Sequence, residues 1–202
     1  MFDLSTIRQR LQQYQGEIYP PNANTRQAAV AVILREADDG LEILFIKRSE
    51  TPGDPWSGHM AFPGGHEDPE DEDLKQAAVR ETLEEIGLDL SAHDYLGALD
   101  HQRAMARGRE LDMLIAPHVF EVRGDPSFTL NYEVDEVVWA PMARMLSNEL
   151  HATETKPMAG KPTIFNGYRL TGGHFVWGLT YRMLKQFFLT LDPNWDPPVE
   201  IE

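Results

Sequence analysis

Residues 64–88 read GGHEDPEDEDLKQAAVRETLEEIGL. A glycine pair opens the stretch, an acidic run follows, and Gly87 closes it. Carboxylates suit the N-terminal end of a helix and glycine suits the position past its last turn, so the stretch predicts a helix over 73–86. Within it Val79, Leu83 and Ile86 fall at i, i+4 and i+7 and predict one apolar stripe. Glu81, Glu84 and Glu85 fall at i, i+3 and i+4, which gathers three carboxylates on the opposite side. Such carboxylates repel one another, and a hard cation such as Mg²⁺ or Mn²⁺ relieves that repulsion while drawing phosphate oxygens. Arg80 adjoins the cluster and can hold a carboxylate in a fixed rotamer. The preceding Phe62-Pro63-Gly64-Gly65 marks a place where the backbone must come close to something.

Outward from that stretch, residues 2–14 carry Phe2, Leu4, Ile7, Leu11 and Tyr14 at helical spacing. Residues 27–34 and 41–49 read as strands, and the turn chemistry at 37–40 makes them a hairpin. A loop rich in proline and glycine fills 50–60. Downstream, 95–99, 111–122 and 134–139 read as strands, and 142–150 as a short helix. The polar stretch 155–167 reads as a loop, 174–191 as an apolar helix and 192–202 as an irregular tail. This organisation predicts a single domain over 1–202, with a helix and linker over 1–25. Strands and helices alternate without a regular βαβ period, so the expected class is α/β with a mixed sheet between helices.

The chain has 202 residues, 42% of them hydrophobic, enough for a core. No apolar run is long enough to span a bilayer, and the start, MFDLSTIRQR, lacks the apolar centre of a secretory signal. With no cysteine there is no disulfide or thiol chemistry, and a cytoplasmic location is expected. A formal net charge of -15 argues against sequence-independent binding to nucleic acid, yet leaves a small anionic substrate open once cations bind the carboxylates. The apolar stripe of the first helix must bury somewhere, which leaves a homodimer open.

The pattern resembles the Nudix box, Gly-x5-Glu-x7-Arg-Glu-U-x-Glu-Glu-x-Gly-U with U apolar. Glu72, Arg80, Glu81, Glu84, Glu85, Gly87 and Leu88 match in place, Thr82 stands at an apolar position, and Gly65 lies one residue too far from Glu72. The resemblance implies an α/β/α sandwich and hydrolysis of a nucleoside diphosphate linked to another group. Upstream, Arg48, Ser49, Gly58, Phe62, Pro63, Gly64 and Gly65 resemble the extra motif of coenzyme A pyrophosphatases. Segments 131–134, 139–141 and 176–180 look like that group as well. The inner arginine of the motif is missing, and Gly53-Asp54-Pro55-Trp56 occupies its region. The expected reaction is therefore metal-dependent cleavage of coenzyme A or a derivative to 3′,5′-ADP and phosphopantetheine. ADP-ribose or a nucleotide sugar is the alternative substrate. A nucleotide-binding module on the same fold and an acidic interaction protein are the non-enzyme alternatives.

The expected roles follow. Glu81 and Glu85, one turn apart, are metal ligands, Glu84 is a ligand or the base, and the resemblance adds the Gly65 carbonyl. Arg80 is placed in the catalytic group chiefly as an orienter of carboxylates. Arg48, Arg26, Arg103, Lys47, Arg107 and Arg109 are candidates for substrate phosphates; Arg48 has the support of the motif and the others offer charge alone. Trp56 can stack on a base or sugar. Glu133 and Glu136, near a strand edge, read as solvated surface, and His59 and His66 as packing or surface histidines.

Overall fold

The computed structural model describes residues 2–201 apart from 55, 107, 108 and 159, and leaves the side chains of 105, 106 and 109–111 undescribed as well. Helix α1 (Leu4–Gln13) starts at Asp3, whose Oδ1 accepts from the Thr6 N–H at 2.7 Å. Strands β1 (Arg26–Ala37) and β2 (Gly40–Arg48) form the expected hairpin, with Ala37 opposite Gly40. Next come β3 (Met60–Ala61), β4 (Gly64–His66) and helix α2 (Leu74–Ile86). Strands β5 (Asp94–Ala98), β6 (Gln102–Ala106), β7 (Arg109–Glu121) and β8 (Val134–Pro141) follow. Helix α3 (Met142–Leu146), strands β9 (His151–Met158), β10 (Lys161–Arg169) and β11 (Phe175–Trp177), and helix α4 (Gly178–Leu191) complete the order.

Strand β1 is the axis of the main sheet. It runs parallel to β7 along one side, and on the other side pairs antiparallel with β4 at its start and β2 at its end. Strand β2 carries β3 and β8, and β7 carries β5 and β6. One parallel pair among antiparallel ones makes the sheet mixed. Both faces of β1 are apolar, as a strand covered on two sides requires. Ala29, Ala31 and Ile33 share a core with Ala77, Ala78 and Ile86 of α2. Ala28, Val32 and Leu34 face the other way, into a core with Ile7 and Leu11 of α1 and Leu184, Phe187 and Phe188 of α4. Full burial of each phenylalanine contributes about 2–3 kcal/mol. The α/β/α arrangement is the one expected from the sequence.

Several local expectations are corrected. Residues 155–167 are not a loop: β9 and β10 pair across them, with Pro157 opposite Pro162, and β11 adds a third strand to a separate sheet. The helix expected over 174–191 gives its first residues to β11 and begins at Gly178. The stretch 101–110 contributes β6, and the helix in 142–150 ends at Leu146. On α2 the expected stripe is corrected in part: Ile86 is buried and Val79 packs against the core, but Leu83 is exposed, and Ala77, Ala78, Thr82 and Glu85 complete the buried face. The described residues of the tail after α4 have no regular structure, yet Trp195 packs on Phe188 and donates its indole N–H to the Leu146 carbonyl at 2.8 Å. Ile7 and Leu11 bury within the chain's own core, which removes the reason for expecting a second copy there.

Gly64 sits where β4 presses on β1. Its φ is +148°, and a Cβ would stand 2.2 Å from the Ala29 carbonyl oxygen. Neither clash nor conformation can be relieved without parting the two strands, so Gly64→Ala is expected to cost about 3 kcal/mol in urea unfolding.

Candidate active site

The glycine pair serves two different contacts. Gly64 allows the strand approach just described, and its N–H donates to Glu85 Oε2 at 2.8 Å. Gly65 makes room for a carboxylate: a Cβ there would stand 2.4 Å from Glu81 Cδ. Helix α2 presents both glutamates to this turn. Asp73 caps its start, with Oδ1 accepting from the Gln76 N–H at 2.7 Å. Gly87 ends it in the left-handed region at φ 71°, its N–H bonded to the Leu83 carbonyl at 2.9 Å.

Arg80 ties the loop and helix together. Its Nε and Nη2 grip the two oxygens of Asp71 at 3.0 and 2.9 Å. Nη2 also reaches the His66 carbonyl at 2.9 Å. Nη1 donates to Glu81 at 3.0 Å and to Glu84 at 3.3 Å. The Asp71 hydrogen bonds hold that carboxyl below the usual range and raise the Arg80 guanidinium above its own. Arg80 is thus fully committed to protein acceptors, a positioning arrangement.

Glu85 is 2% exposed, so it belongs to the buried face of α2 rather than to a solvated acidic edge. Burial pushes its carboxyl up to about 8, against the opposing pull of the Gly64 N–H and Arg48, with repulsion from Glu81 and Glu133 adding to the rise. The Glu81 carboxyl is raised as well, first by burial, with Arg80 opposing and Glu84 and Glu133 contributing. Glu84 points outward, its side chain 56% exposed, and meets Arg80. Among the described residues, no three histidine, aspartate or glutamate side chains converge closely enough to hold a cation by themselves. Glu81, packed against Gly65, and Glu85, bonded to the Gly64 N–H, are hard oxygen donors set against neighbouring residues of one turn. Mg²⁺ suits such a set, because it is commonly held by one or two carboxylates together with water and substrate phosphate.

A cavity of about 820 Å³ opens beside the glycine pair. Arg48, Trp56 and Gly65 line it, as do Met60, Met113, Met158 and Met183. Its far wall comes from Lys156 of β9, Phe165 of β10, Trp177 of β11 and Arg182 of α4. The Trp177 ring lies 4.6 Å from His59 and 4.5 Å from Phe165. Of the other expected phosphate contacts, Arg26 is exposed at the start of β1, and Arg103 lays its guanidinium 5.3 Å from the centre of the Tyr19 ring. Neither lines the cavity. Lys47 pairs with Asp135 at 3.3 Å. Arg107 lies outside the described residues, as does the side chain of Arg109. Glu136 meets His174 at 3.3 Å. Nothing local in the sequence marks Asp54 or Asp71 as a carboxylate that binds an arginine six or nine positions away.

The family model described as NUDIX domain matches residues 25–159. An uncharacterized protein of Schizosaccharomyces pombe is 37% identical over 168 residues, 73% of this chain and 50% of the yeast protein. The mitochondrial coenzyme A diphosphatase of Homo sapiens is 31% identical over 84% of this chain and 70% of its own length. The chain spans about half the length of several curated relatives that it matches. Among solved structures, a MutT/nudix family protein from Enterococcus faecalis superposes with a TM-score of 0.55 at 18% identity, covering 95% of this chain and 70% of that one, a likeness of fold. No helix among the described residues is long and apolar enough to cross a membrane.

Proposed function

The chain belongs to the Nudix family, and on that premise we propose that it hydrolyses the pyrophosphate linkage of a nucleoside diphosphate derivative, with coenzyme A or a derivative as substrate. The observation that carries this reading is the cavity of about 820 Å³ lined by Gly64 and Gly65, the two residues that Glu85 and Glu81 contact, although neither glutamate itself lines it. Similarity to a coenzyme A diphosphatase supports the choice of substrate.

In this reading Glu81, Glu85 and the Gly65 carbonyl hold the cation, Mg²⁺ or Mn²⁺, and Glu84 is a further ligand or the base. When bound, such a cation supplies charge neutralisation at phosphate oxygens and lowers the pKa of the attacking water. The chain's own groups do the positioning. Arg80, locked by Asp71, fixes the Glu81 carboxylate and the His66 carbonyl in one frame. The Gly64 N–H fixes one oxygen of Glu85 and leaves the other free of it. Arg48 lines the cavity and carries a guanidinium suited to phosphate oxygens. The four methionines of the cavity offer an adaptable apolar wall for the pantetheine arm.

The test is a panel of pyrophosphates with Mg²⁺ or Mn²⁺, products separated by chromatography. Coenzyme A is expected to yield 3′,5′-ADP and phosphopantetheine, with the highest kcat/KM of the panel. Intact coenzyme A beside consumed ADP-ribose would move the substrate to the alternative that the aspartate at position 54 raises. No turnover of any member would favour a binding module.

A further inference from the structure

Asp54 lies in the 53–56 region where the resembling motif's inner arginine is missing, and its carboxylate is only 18% exposed. Each of its oxygens has a separate task. Oδ1 accepts from the Trp56 N–H at 2.9 Å, inside a loop closed by the Thr51 N–H to Ser57 Oγ at 2.8 Å. Oδ2 accepts from Arg48 Nη2 at 3.1 Å. The other terminal nitrogen of Arg48, Nη1, lies 4.0 Å from Glu85 Oε1, outside hydrogen-bond range. An arginine with donors to spare is drawn to a neighbouring carboxylate whenever that group is ionised, and its own charge favours the ionised form. Contact would need little movement, because β2 already brings the guanidinium beside α2. What opposes closure is the carboxylate on its other flank, which is itself tied to the backbone.

We propose that Asp54 is a positioning residue that holds Arg48 off Glu85, so that the Glu85 carboxylate stays open to a divalent cation. The inference rests on the reading of Glu81 and Glu85 as the metal-holding edge. It explains why a carboxylate is tolerated on the wall of a cavity meant for an anion: its charge is spent on Arg48. It also gives the loop a link to the chemistry, through a chain from Trp56 to Asp54, Arg48 and Glu85.

The test is a double-mutant cycle in which Mn²⁺ affinity of the substrate-free protein is read by electron paramagnetic resonance of the free ion. Asp54→Asn keeps an oxygen for the Trp56 N–H and removes the charge. It is expected to weaken Mn²⁺ binding about fivefold, because Arg48 closes on Glu85. In the Arg48→Gln background the same change is expected to leave affinity within about twofold. Asp54→Glu, which keeps the charge, is expected to retain affinity. An equal loss from Asp54→Asn in both backgrounds is plain long-range electrostatics and overturns the inference, as does an Asp54→Glu loss as large as that of Asp54→Asn. If the wild type binds no Mn²⁺ in a Glu85-dependent way, the metal-edge reading falls, and this inference with it.

Discussion

Glu85→Gln is expected to lower turnover about a thousandfold, about 4 kcal/mol of activation free energy, and to stabilise the metal-free protein at pH 8. Both effects come from one feature: a carboxylate buried to 2% exposure whose nearest fixed donor is a backbone N–H. Glutamine keeps an oxygen for the Gly64 N–H but cannot supply the charge a cation needs. The stability sign follows from the raised carboxyl. Below about 4.5 the group is protonated in both folded and unfolded chains, and its burial costs nothing through ionisation. Between about 4.5 and about 8 the unfolded chain ionises while the folded one resists, so stability falls as pH rises across that window. The glutamine variant escapes this loss, and its gain at pH 8 is expected at about 2 kcal/mol. Thermal unfolding from pH 4 to 9, without and with Mg²⁺, checks it: the wild-type decline should appear without the metal and shrink with it. A variant that loses both activity and stability would mean that Glu85 acts as a structural anchor instead.

Gly65→Ala separates chemistry from folding in another way. Unlike its neighbour, Gly65 lies outside the left-handed region, so alanine suits its backbone. The added Cβ instead meets the end of a side chain, Glu81 Cδ, at 2.4 Å. That carboxylate can swing aside, but only by leaving the position that Arg80 sets at 3.0 Å. Stability is therefore expected to change by about 1 kcal/mol or less, while kcat falls about a hundredfold, the scale of a displacement near 1 Å at a reacting centre. The contrast with Gly64→Ala is the informative part: adjacent glycines, one failing as a fold variant and the other as an activity variant. Unfolding midpoints and kcat measured together on both proteins decide it.

The box helix was legible because its signals are local. Asp73 and Gly87 bound α2 close to where charge and glycine placed the ends. Its phase was legible only in part. Periodicity followed large apolar residues and found Ile86 and Val79, while the helix also buries two alanines, a threonine and a glutamate against the sheet and leaves Leu83 exposed. A functional carboxylate on the buried face cannot be told from a solvated one by spacing alone. The second sheet was hidden for a related reason. Strands β9 and β10 are half-exposed and carry prolines and charges, so their polarity read as loop. Yet they deliver Lys156 and Phe165 to the cavity. The core hairpin showed itself because β1 is apolar on both faces. The links from Arg80 to Asp71 and from Arg48 to Asp54 depend on how a loop folds back, which no periodicity records.

Mg²⁺-dependent release of 3′,5′-ADP from coenzyme A, measured side by side for the wild type and Glu85→Gln with both proteins verified as folded, decides whether Glu85 serves a metal-dependent pyrophosphatase. Rapid release is expected from the wild type, none without a divalent cation, and about a thousandfold less from the variant. Equal release by the two proteins, or wild-type release that is indifferent to Mg²⁺ and Mn²⁺, would rule that role out.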